Sequence, residues 1–204
     1  MKRTAAIVYL VVSLSGIFAG AFLTGCDTSV KQSNQTQTKA VDETDDESLY
    51  QASGTWDNQY GDTLLLSKLT GKIPVIAMIF TRCTFACPRI VADLKAIEKQ
   101  VPDNKKDQVV FVLVSFDADR DHTPQLKAFA KKKELDDNWL VLHGNDEDVR
   151  QLSMLLEVKY KKQPNGDFTH SNGITLLDTH GAIAAQIEGL GADARQMIEK
   201  IKAL

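Results

Sequence analysis

The sequence predicts an α/β protein in which a central mixed sheet carries helices on both faces. Continuous apolar runs rich in β-branched residues lie at 73–80 and 109–116, as expected for strands that are buried on both sides. The first run is followed at 88–101 by apolar residues at helical spacing, and the second by a helix-start signature, Thr123-Pro124. Strands that alternate with helices in this way pack as a layered sheet.

Local signals define where the predicted helices begin. Pro88 suits the first turn of the helix that follows the first strand. Thr123 and Pro124 form an N-cap and first-turn pair that opens the second helix. Asn145 or Asp146 caps the third helix, because both side chains accept hydrogen bonds from the first helical N–H groups.

The complete set of elements points to one architecture. In chain order we predict a strand at 73–80, a helix at 88–101, a strand at 109–116, a helix at 123–135, a strand at 139–142, a helix at 145–156, strands at 174–177 and 183–187, and a helix at 193–202. The last two strands are joined by a short turn ending in Gly181, which predicts a hairpin. This order is that of a thioredoxin-like fold with an additional N-terminal segment. Met78, Met154 and Met197 fall on predicted apolar faces and are interpreted as core residues.

Residues 1–25 are predicted to be a lipoprotein signal peptide. Lys2 and Arg3 precede an uncharged, mostly apolar stretch that ends at Gly25, which is the arrangement of an export signal. Small residues directly before Cys26 resemble the lipobox of bacterial lipoproteins, whose signal is removed and whose cysteine is then lipidated. An uncleaved signal anchor is the alternative, and both place the rest of the chain outside the cytoplasm.

Residues 26–48 are predicted to form a flexible polar tether, and 49–204 one thioredoxin-like domain. The tether consists mainly of polar and charged residues and lacks the apolar surface that would offset the entropy of ordering it. A lipid anchor on Cys26 would hold the domain at the extracytoplasmic face of the bacterial cytoplasmic membrane, on the periplasmic side where the host has two membranes.

Composition excludes two classes of protein. The 204 residues include 24 Lys and Arg against 27 Asp and Glu, a formal net charge of −3. Such a chain lacks the basic stripe that binds phosphate backbones, so we expect no nucleic-acid partner. Three cysteines are too few for a disulfide-rich scaffold.

Cys83 and Cys87 are the main candidates for chemistry. They lie between a buried strand and the start of a helix, where ligands gather in open α/β sheets and where the helix N-terminus favours thiolate over thiol. Their spacing permits a disulfide, redox-active or merely structural, and equally a shared soft metal ion such as Cu(I) or Zn²⁺. Structural zinc requires four ligands, whereas Cu(I) accepts three, so a third ligand would come from a distant part of the chain.

One of the four histidines is a candidate for that third ligand. His122, His143 and His180 fall in predicted turns and are interpreted as solvated. His170 follows a predicted turn and lies just before the predicted strand at 174–177, from which three residues separate it. In a thioredoxin-like fold the loop at this position packs beside the cysteine loop.

Three stretches of the chain resemble the Sco/SenC family of thioredoxin-like copper proteins. They are the cysteine loop from Phe80 to Pro88, the acidic loop from Ser115 to Pro124, and the segment Thr169-His170-Ser171 with the later Leu177-Asp178 and Gly181. The resemblance extends from about Thr55 to the C-terminus, with the three stretches in the family's order and on the expected elements.

The resemblance implies a copper site made by Cys83, Cys87 and His170, with Cu(I) as the first candidate and Cu(II) as the second. It also implies delivery of copper to the binuclear centre of cytochrome c oxidase subunit II or to another exported copper protein. A thiol reductant protein is a further implied partner. No catalytic residue is expected, except that Cys83 and Cys87 would be the redox-active pair of an oxidoreductase.

The sequence departs from the family pattern at three positions. Thr84 stands where Pro usually follows the first cysteine, Thr169 stands where Asp commonly precedes the histidine, and His122 is an additional residue in the acidic loop. None of these departures removes a ligand. A thiol–disulfide oxidoreductase that keeps target cysteines reduced, a redox or copper sensor, and a domain with a structural disulfide stay open as alternative functions.

Overall fold

The computed structural model describes residues 48–204. The predicted signal peptide, Cys26 and the predicted tether up to residue 47 therefore lie outside the described residues. Within the described part of the chain, no helix is long and apolar enough to cross a membrane.

The described residues form nine strands and four α-helices, with short 3₁₀ turns between some of them. The strands are β1 (Thr55–Asn58), β2 (Thr63–Leu65), β3 (Ile73–Ile79), β4 (Val109–Ser115), β5 (Trp139–His143), β6 (Tyr160–Lys162), β7 (Phe168–His170), β8 (Gly173–Leu177) and β9 (Ile183–Glu188). The helices are α1 (Ala86–Glu98), α2 (Thr123–Lys132), α3 (Asp146–Leu155) and α4 (Arg195–Ala203). Every strand and helix predicted from the sequence is present, with limits shifted by a few residues.

Seven strands form one mixed sheet in the order β2-β1-β5-β4-β3-β8-β9. The central strands β3, β4 and β5 are parallel, whereas β8, β9, β1 and β2 join antiparallel. The carboxyl ends of the three parallel strands consequently lie at one edge of the sheet, where β8 begins. This edge holds the cysteine loop after β3 and the acidic loop after β4.

The predicted coverage of both faces of the sheet is confirmed by the burial of its central strands. All seven residues of β3 are buried, although successive side chains of a strand point to opposite faces. Each large aliphatic side chain buried in this way contributes about 1.5–3 kcal/mol to folding. Met78 and Met197 belong to this core, as predicted. Met154 does not, because it lies in the last turn of α3 with 66% of its surface exposed.

Two hairpins were not predicted. β1 and β2 pair at one edge of the main sheet, and β6 and β7 form a separate two-stranded sheet. Their strands have three or four residues each and are partly exposed, so they lack the long apolar runs by which the other strands are recognised. The second hairpin carries His170.

The helix starts agree with the predictions except at α2. Asn145 caps α3, and its side chain accepts hydrogen bonds from the N–H groups of Glu147 and Asp148 at 2.9 Å. The predicted N-cap Thr123 is instead the first helical residue, and His122 occupies the N-cap position without a capping side-chain hydrogen bond. The His122 ring instead contacts the carbonyl oxygen of Asp119 and the ring of His143.

Candidate metal centre

The cysteine loop presents its two thiols differently. Cys83 lies in a turn after β3, closed by its N–H donating to the carbonyl of Phe80 at 3.1 Å, and its side chain is partly exposed. Cys87 is the second residue of α1 and is completely buried. The Cys87 N–H donates to the Cys83 sulfur at 3.3 Å, so the helix N-terminus faces that sulfur, as predicted. A reagent from solvent can therefore reach Cys83 but not Cys87.

The structure brings His170 to the two cysteines. His170 ends β7, in register with Tyr160 of β6, and its Nε2 lies 4.0 Å from the Cys87 Sγ. Among residues 48–204, Cys83, Cys87 and His170 are the set of three whose ligand atoms all lie within 4.8 Å of one another. The sequence could place His170 near the cysteine loop only by analogy with a fold, and the contact itself is a finding of the structure.

A backbone contact fixes which nitrogen of His170 faces the sulfurs. The Nδ1 atom lies 2.9 Å from the carbonyl oxygen of Ser171. A carbonyl can only accept, so Nδ1 carries the proton and donates it. In the neutral ring Nε2 then holds the lone pair, and it is Nε2 that faces Cys87. Such an outer hydrogen bond is typical of metal-binding histidines.

Aromatic packing holds the hairpin of His170 against the sheet. The His170 ring packs 5.1 Å from Phe116 and 6.2 Å from Phe80, measured between ring centroids. Phe168 packs on Phe80 at 5.3 Å, and Tyr160 stacks on Phe116 at 4.7 Å. Phe80 begins the cysteine loop and Phe116 is the second residue of the acidic loop, so one aromatic cluster joins three segments that are distant in sequence.

The acidic loop also fixes the cysteine loop through Asp121. The buried Asp121 carboxylate accepts hydrogen bonds from the Thr81 N–H at 2.7 Å, from the Thr81 hydroxyl at 2.5 Å and from the Ser115 hydroxyl at 2.5 Å. Thr81 lies two residues before Cys83. Asp121 therefore sets the path of the chain into the turn that carries Cys83.

Arg120 ties the same loop to the histidine hairpin. Its guanidinium donates to the buried Asp117 carboxylate at 2.5 Å and to the carbonyl of Gly166, in the turn between β6 and β7. Burial and the Asp121 charge raise the pKa of Asp117 to about 6, against the opposing charge of Arg82. The acidic loop thus contacts both the cysteine loop and the hairpin that carries His170.

Two features of this contact require a glycine at position 166, namely its backbone conformation and the close approach of Arg120. Its φ of +81° is in the left-handed region, and a Cβ at this position would lie 2.6 Å from a guanidinium nitrogen of Arg120. Replacing Gly166 with alanine is expected to displace Arg120, loosen the histidine hairpin and weaken metal binding several-fold. Urea unfolding and a Cu(I) competition titration would measure the two effects.

Gly71 provides the matched control for that substitution. It has a similar φ of +84°, but a Cβ there would meet no described atom within 4 Å. Gly71→Ala therefore carries the backbone cost, about 1 kcal/mol or more, without the clash. Equal stability losses and unchanged metal affinity in both variants would contradict the role assigned to Gly166.

The environment of Cys87 differs from the sequence-based expectation. Burial raises the pKa of the Cys87 thiol well above its usual range, and the Cys83 and Asp121 charges add to the increase, whereas a hydrogen bond to the Phe80 backbone opposes it. The helix N-terminus was expected to lower the cysteine pKa, but for Cys87 desolvation dominates. A metal ion bound to Cys87 would have to displace the thiol proton, so binding there would release a proton and depend on pH. Thr169 brings no carboxylate, but Asp121 supplies negative charge near Cys87.

The ligand set suits a soft metal ion with an open coordination position. Thiolates and imidazole together select Cu(I) or Zn²⁺ over hard oxygen-seeking ions. A closed structural zinc site requires four ligands, and this set has three. Three ligands with one sulfur partly exposed leave an open side from which a fourth ligand can approach.

The other histidines lie apart from this set. His122 and His180 are exposed, in agreement with their interpretation as solvated residues. His143 is not in a loop as predicted: it ends β5, is half buried, and packs against His122. Burial and the neighbouring His122 lower the pKa of His143, which favours its neutral form.

Several residues that position the site were missed by the sequence analysis. They are Tyr160, Phe168 and Phe116 in the aromatic cluster, and Asp121, Arg120 and Gly166 in the hydrogen-bonded contacts. One aromatic residue on each side of the turn 163–167, Tyr160 before it and Phe168 after it, was the available signal for the hairpin. The pairings of Arg120 and Asp121 have no sequence signal, because both are long-range contacts of a polar loop.

Two thiols and an imidazole at the strand-to-helix edge of this sheet define a thioredoxin-like protein with a three-ligand site. The sequence matches the SCO1/SenC family over residues 26–204, and the chain belongs to that family.

Solved structures agree with this assignment. The crystal structure of a SCO1/SenC family lipoprotein from Bacillus anthracis has 30% identity and a TM-score of 0.67, covering 74% of this chain and 91% of that one. BsSco, described as a Sco family cytochrome c oxidase assembly protein with a disulfide switch, has 25% identity and a TM-score of 0.64, covering 76% and 92%. Arabidopsis thaliana ScoI with copper bound has 21% identity and a TM-score of 0.65, covering 74% and 96%, which shows a shared fold.

Proposed function

We propose that the protein is a copper metallochaperone that binds one Cu(I) through Cys83, Cys87 and His170 and passes it to an exported copper protein. The observation that carries the proposal is the convergence of the three ligand atoms within 4.8 Å at a partly exposed edge of the sheet. Two sulfurs and one imidazole nitrogen are a donor set that suits Cu(I). A copper-bound structure with the same fold supports the choice of copper over zinc. Cu(II) is the second candidate oxidation state.

The exposure of the ligands suggests the order of transfer. Cys83 is partly exposed, whereas Cys87 is completely buried at the start of α1. A thiolate of the recipient can approach the open side of the bound ion next to Cys83 and bind before an original ligand leaves. Copper then moves by ligand exchange and is never released into water. Cys87 is expected to be the last ligand to leave.

Copper binding is expected to depend on the redox state of the cysteines. Both must be reduced to bind Cu(I), and a Cys83–Cys87 disulfide would remove two of the three ligands. The disulfide switch described for BsSco supports this proposal. A thiol reductant protein would be needed to return the pair to the dithiol form.

The alternative function is a thiol–disulfide oxidoreductase that keeps the recipient's cysteines reduced. The accessible Cys83 thiolate would attack the partner disulfide and release one partner thiolate. Cys87 would then displace the second partner thiol, which leaves the partner reduced by two electrons and Cys83 and Cys87 oxidised to a disulfide. The difference in exposure between Cys83 and Cys87 favours this division of roles. A redox or copper sensor is a third candidate.

We further propose that the domain is lipid-anchored through Cys26 after removal of residues 1–25, with 26–48 as a tether. The domain would then act at the extracytoplasmic face of the cytoplasmic membrane. The similarity to a Bacillus anthracis lipoprotein supports this arrangement. The proposed recipient is cytochrome c oxidase subunit II or another exported copper protein, since BsSco is described as an oxidase assembly protein. A short tether would raise the effective concentration of the domain near a membrane-bound recipient.

An anaerobic titration with Cu(I) tests the proposal. The reduced protein is expected to bind one Cu(I) tightly against a chromogenic competitor, and the form with a Cys83–Cys87 disulfide is expected to bind none with comparable affinity. The loaded protein is then mixed with a soluble recipient domain that carries a binuclear copper site, and transfer is followed by the absorption of that site. Tight binding without transfer would contradict delivery and leave storage or sensing. An absence of tight binding would contradict the copper site itself.

A further inference from the structure

Two further possible metal ligands, separate from the three-ligand set, lie at the edge of the sheet where the parallel strands end. His143 ends β5 and His122 precedes α2, and their rings are in edge-to-face contact with centroids 4.9 Å apart. The two sites are connected through the chain, because Asp121, which holds Thr81 of the cysteine loop, directly precedes His122. Neither histidine belongs to the set of Cys83, Cys87 and His170.

Both rings have a nitrogen that the described contacts leave without a partner. The buried Nδ1 of His143 makes no hydrogen bond to any atom of residues 48–204, although buried polar atoms are usually paired. The Nε2 of His122 lies 3.1 Å from the carbonyl oxygen of Asp119, to which it can only donate. The Nδ1 of a neutral His122 then carries a lone pair.

We propose that His122 and His143 form a second metal site, for a divalent late transition-metal ion such as Cu(II), Ni(II) or Zn²⁺. Imidazole nitrogens bind these ions at about 2.0–2.1 Å, so two rings on one ion have centroids separated by about 4.5–6 Å. The observed separation of 4.9 Å lies in that range. His122 is exposed and can turn its ring toward the ion. Asp57, opposite His143 in the β1–β5 pair, adds negative charge, and water or a partner group would complete the coordination.

This site would not depend on the redox state of the cysteines. Imidazoles are not lost when Cys83 and Cys87 form a disulfide, so the pair can hold a divalent ion in the oxidised protein. The proposal is independent of copper delivery by the first site, and it is tested with that site disabled.

The test uses the full chain with Cys26→Ser and His170→Ala, and with Cys83 and Cys87 oxidised to a disulfide as verified by thiol titration. Ni(II) is the probe because it does not oxidise or reduce the protein, and its binding is measured by calorimetry. One Ni(II) per chain is expected, with a dissociation constant raised at least tenfold by His122→Ala and by His143→Ala. His180→Ala is the matched control, because His180 is an exposed histidine in the β8–β9 turn at the opposite edge of the sheet. That variant is expected to bind within twofold of its parent.

A spectroscopic measurement provides a second readout. With Cu(II) as the probe, the electron spin echo modulation reports how many imidazole rings are bound to the ion. We expect two rings in the parent protein and one in His122→Ala. This variant changes an exposed residue and should not disturb folding. Absence of saturable Ni(II) binding would overturn the proposal. Equal affinities in the His122, His143 and His180 variants would also overturn it and leave the two rings as a packing contact.

Discussion

Replacing Cys83 and Cys87 together with serine is expected to abolish tight Cu(I) binding, whereas His170→Ala is expected to weaken it at least tenfold. The two sulfurs are the soft donors that select Cu(I), and no described residue could replace both. His170 contributes one neutral nitrogen, held toward Cys87 by its Nδ1–H bond to the Ser171 carbonyl. A tenfold loss corresponds to about 1.4 kcal/mol, which a competition titration resolves readily.

The His170 variant also separates the proposed function from its main alternative. An oxidoreductase needs the exposed Cys83 to attack and the buried Cys87 to resolve, and His170 is at most a modulator of that reaction. His170→Ala should therefore spare reduction of a model disulfide substrate while it impairs copper binding. Loss of reductase turnover together with unchanged copper affinity would reverse the assignment and favour thiol–disulfide chemistry.

His180→Ala is the control for this series, since His180 lies in the turn between β8 and β9 at the opposite edge of the sheet. It should bind Cu(I) as tightly as the wild-type protein. Far-UV circular dichroism and urea unfolding would confirm that each variant is folded, which matters most for the buried Cys87. Equal losses in the His170 and His180 variants would show that the affinity does not depend on the proposed ligand.

The main sheet was predictable because its strands and helices carry strong local signals. β3 and β4 are uninterrupted apolar runs, and α1 shows apolar residues at helical spacing. The small hairpins β1–β2 and β6–β7 were missed because three- or four-residue strands on a partly exposed surface have almost no periodicity to detect. Their formation depends on tertiary contacts such as the stacking of Tyr160 on Phe116.

The candidate ligands were predictable, but the structure that positions them was not. Cys83 and Cys87 are identified by their place between a buried strand and a helix, and His170 by its resemblance to a family segment. The contacts that hold them are long-range: Asp121 reaches back forty residues to Thr81, and Arg120 reaches forward to Gly166. Interactions between polar side chains so far apart leave no pattern in a single sequence. The structure shows the acidic loop bonded both to the cysteine loop and to the hairpin that carries His170.

Replacing Asp121 with alanine is expected to lower the free energy of unfolding by about 2–4 kcal/mol, because buried donors that lose their acceptor cost about 1–3 kcal/mol each. The carboxylate accepts three hydrogen bonds, and the Thr81 N–H among them cannot turn toward another partner. Urea unfolding would measure the loss. Copper affinity should fall as well, because the chain that leads to Cys83 loses its fixed path. Asp119→Ala is the control: Asp119 is an exposed residue of the same loop, paired with Lys162, and its loss should leave the free energy of unfolding nearly unchanged.

Asp121→Asn distinguishes the hydrogen bonds of Asp121 from its charge. An asparagine oxygen can still accept from the Thr81 N–H and the Ser115 hydroxyl, while its NH₂ group donates to the Thr81 hydroxyl, which can rotate to accept. We therefore expect the asparagine variant to keep most of the stability and copper affinity that the alanine variant loses. If asparagine were as damaging as alanine, the negative charge near Cys87 would be the essential feature, and Asp121 would act on the metal site electrostatically. If both variants bound copper normally, the acidic loop would contribute to folding alone, and the geometry of the cysteine turn would be set within the turn itself.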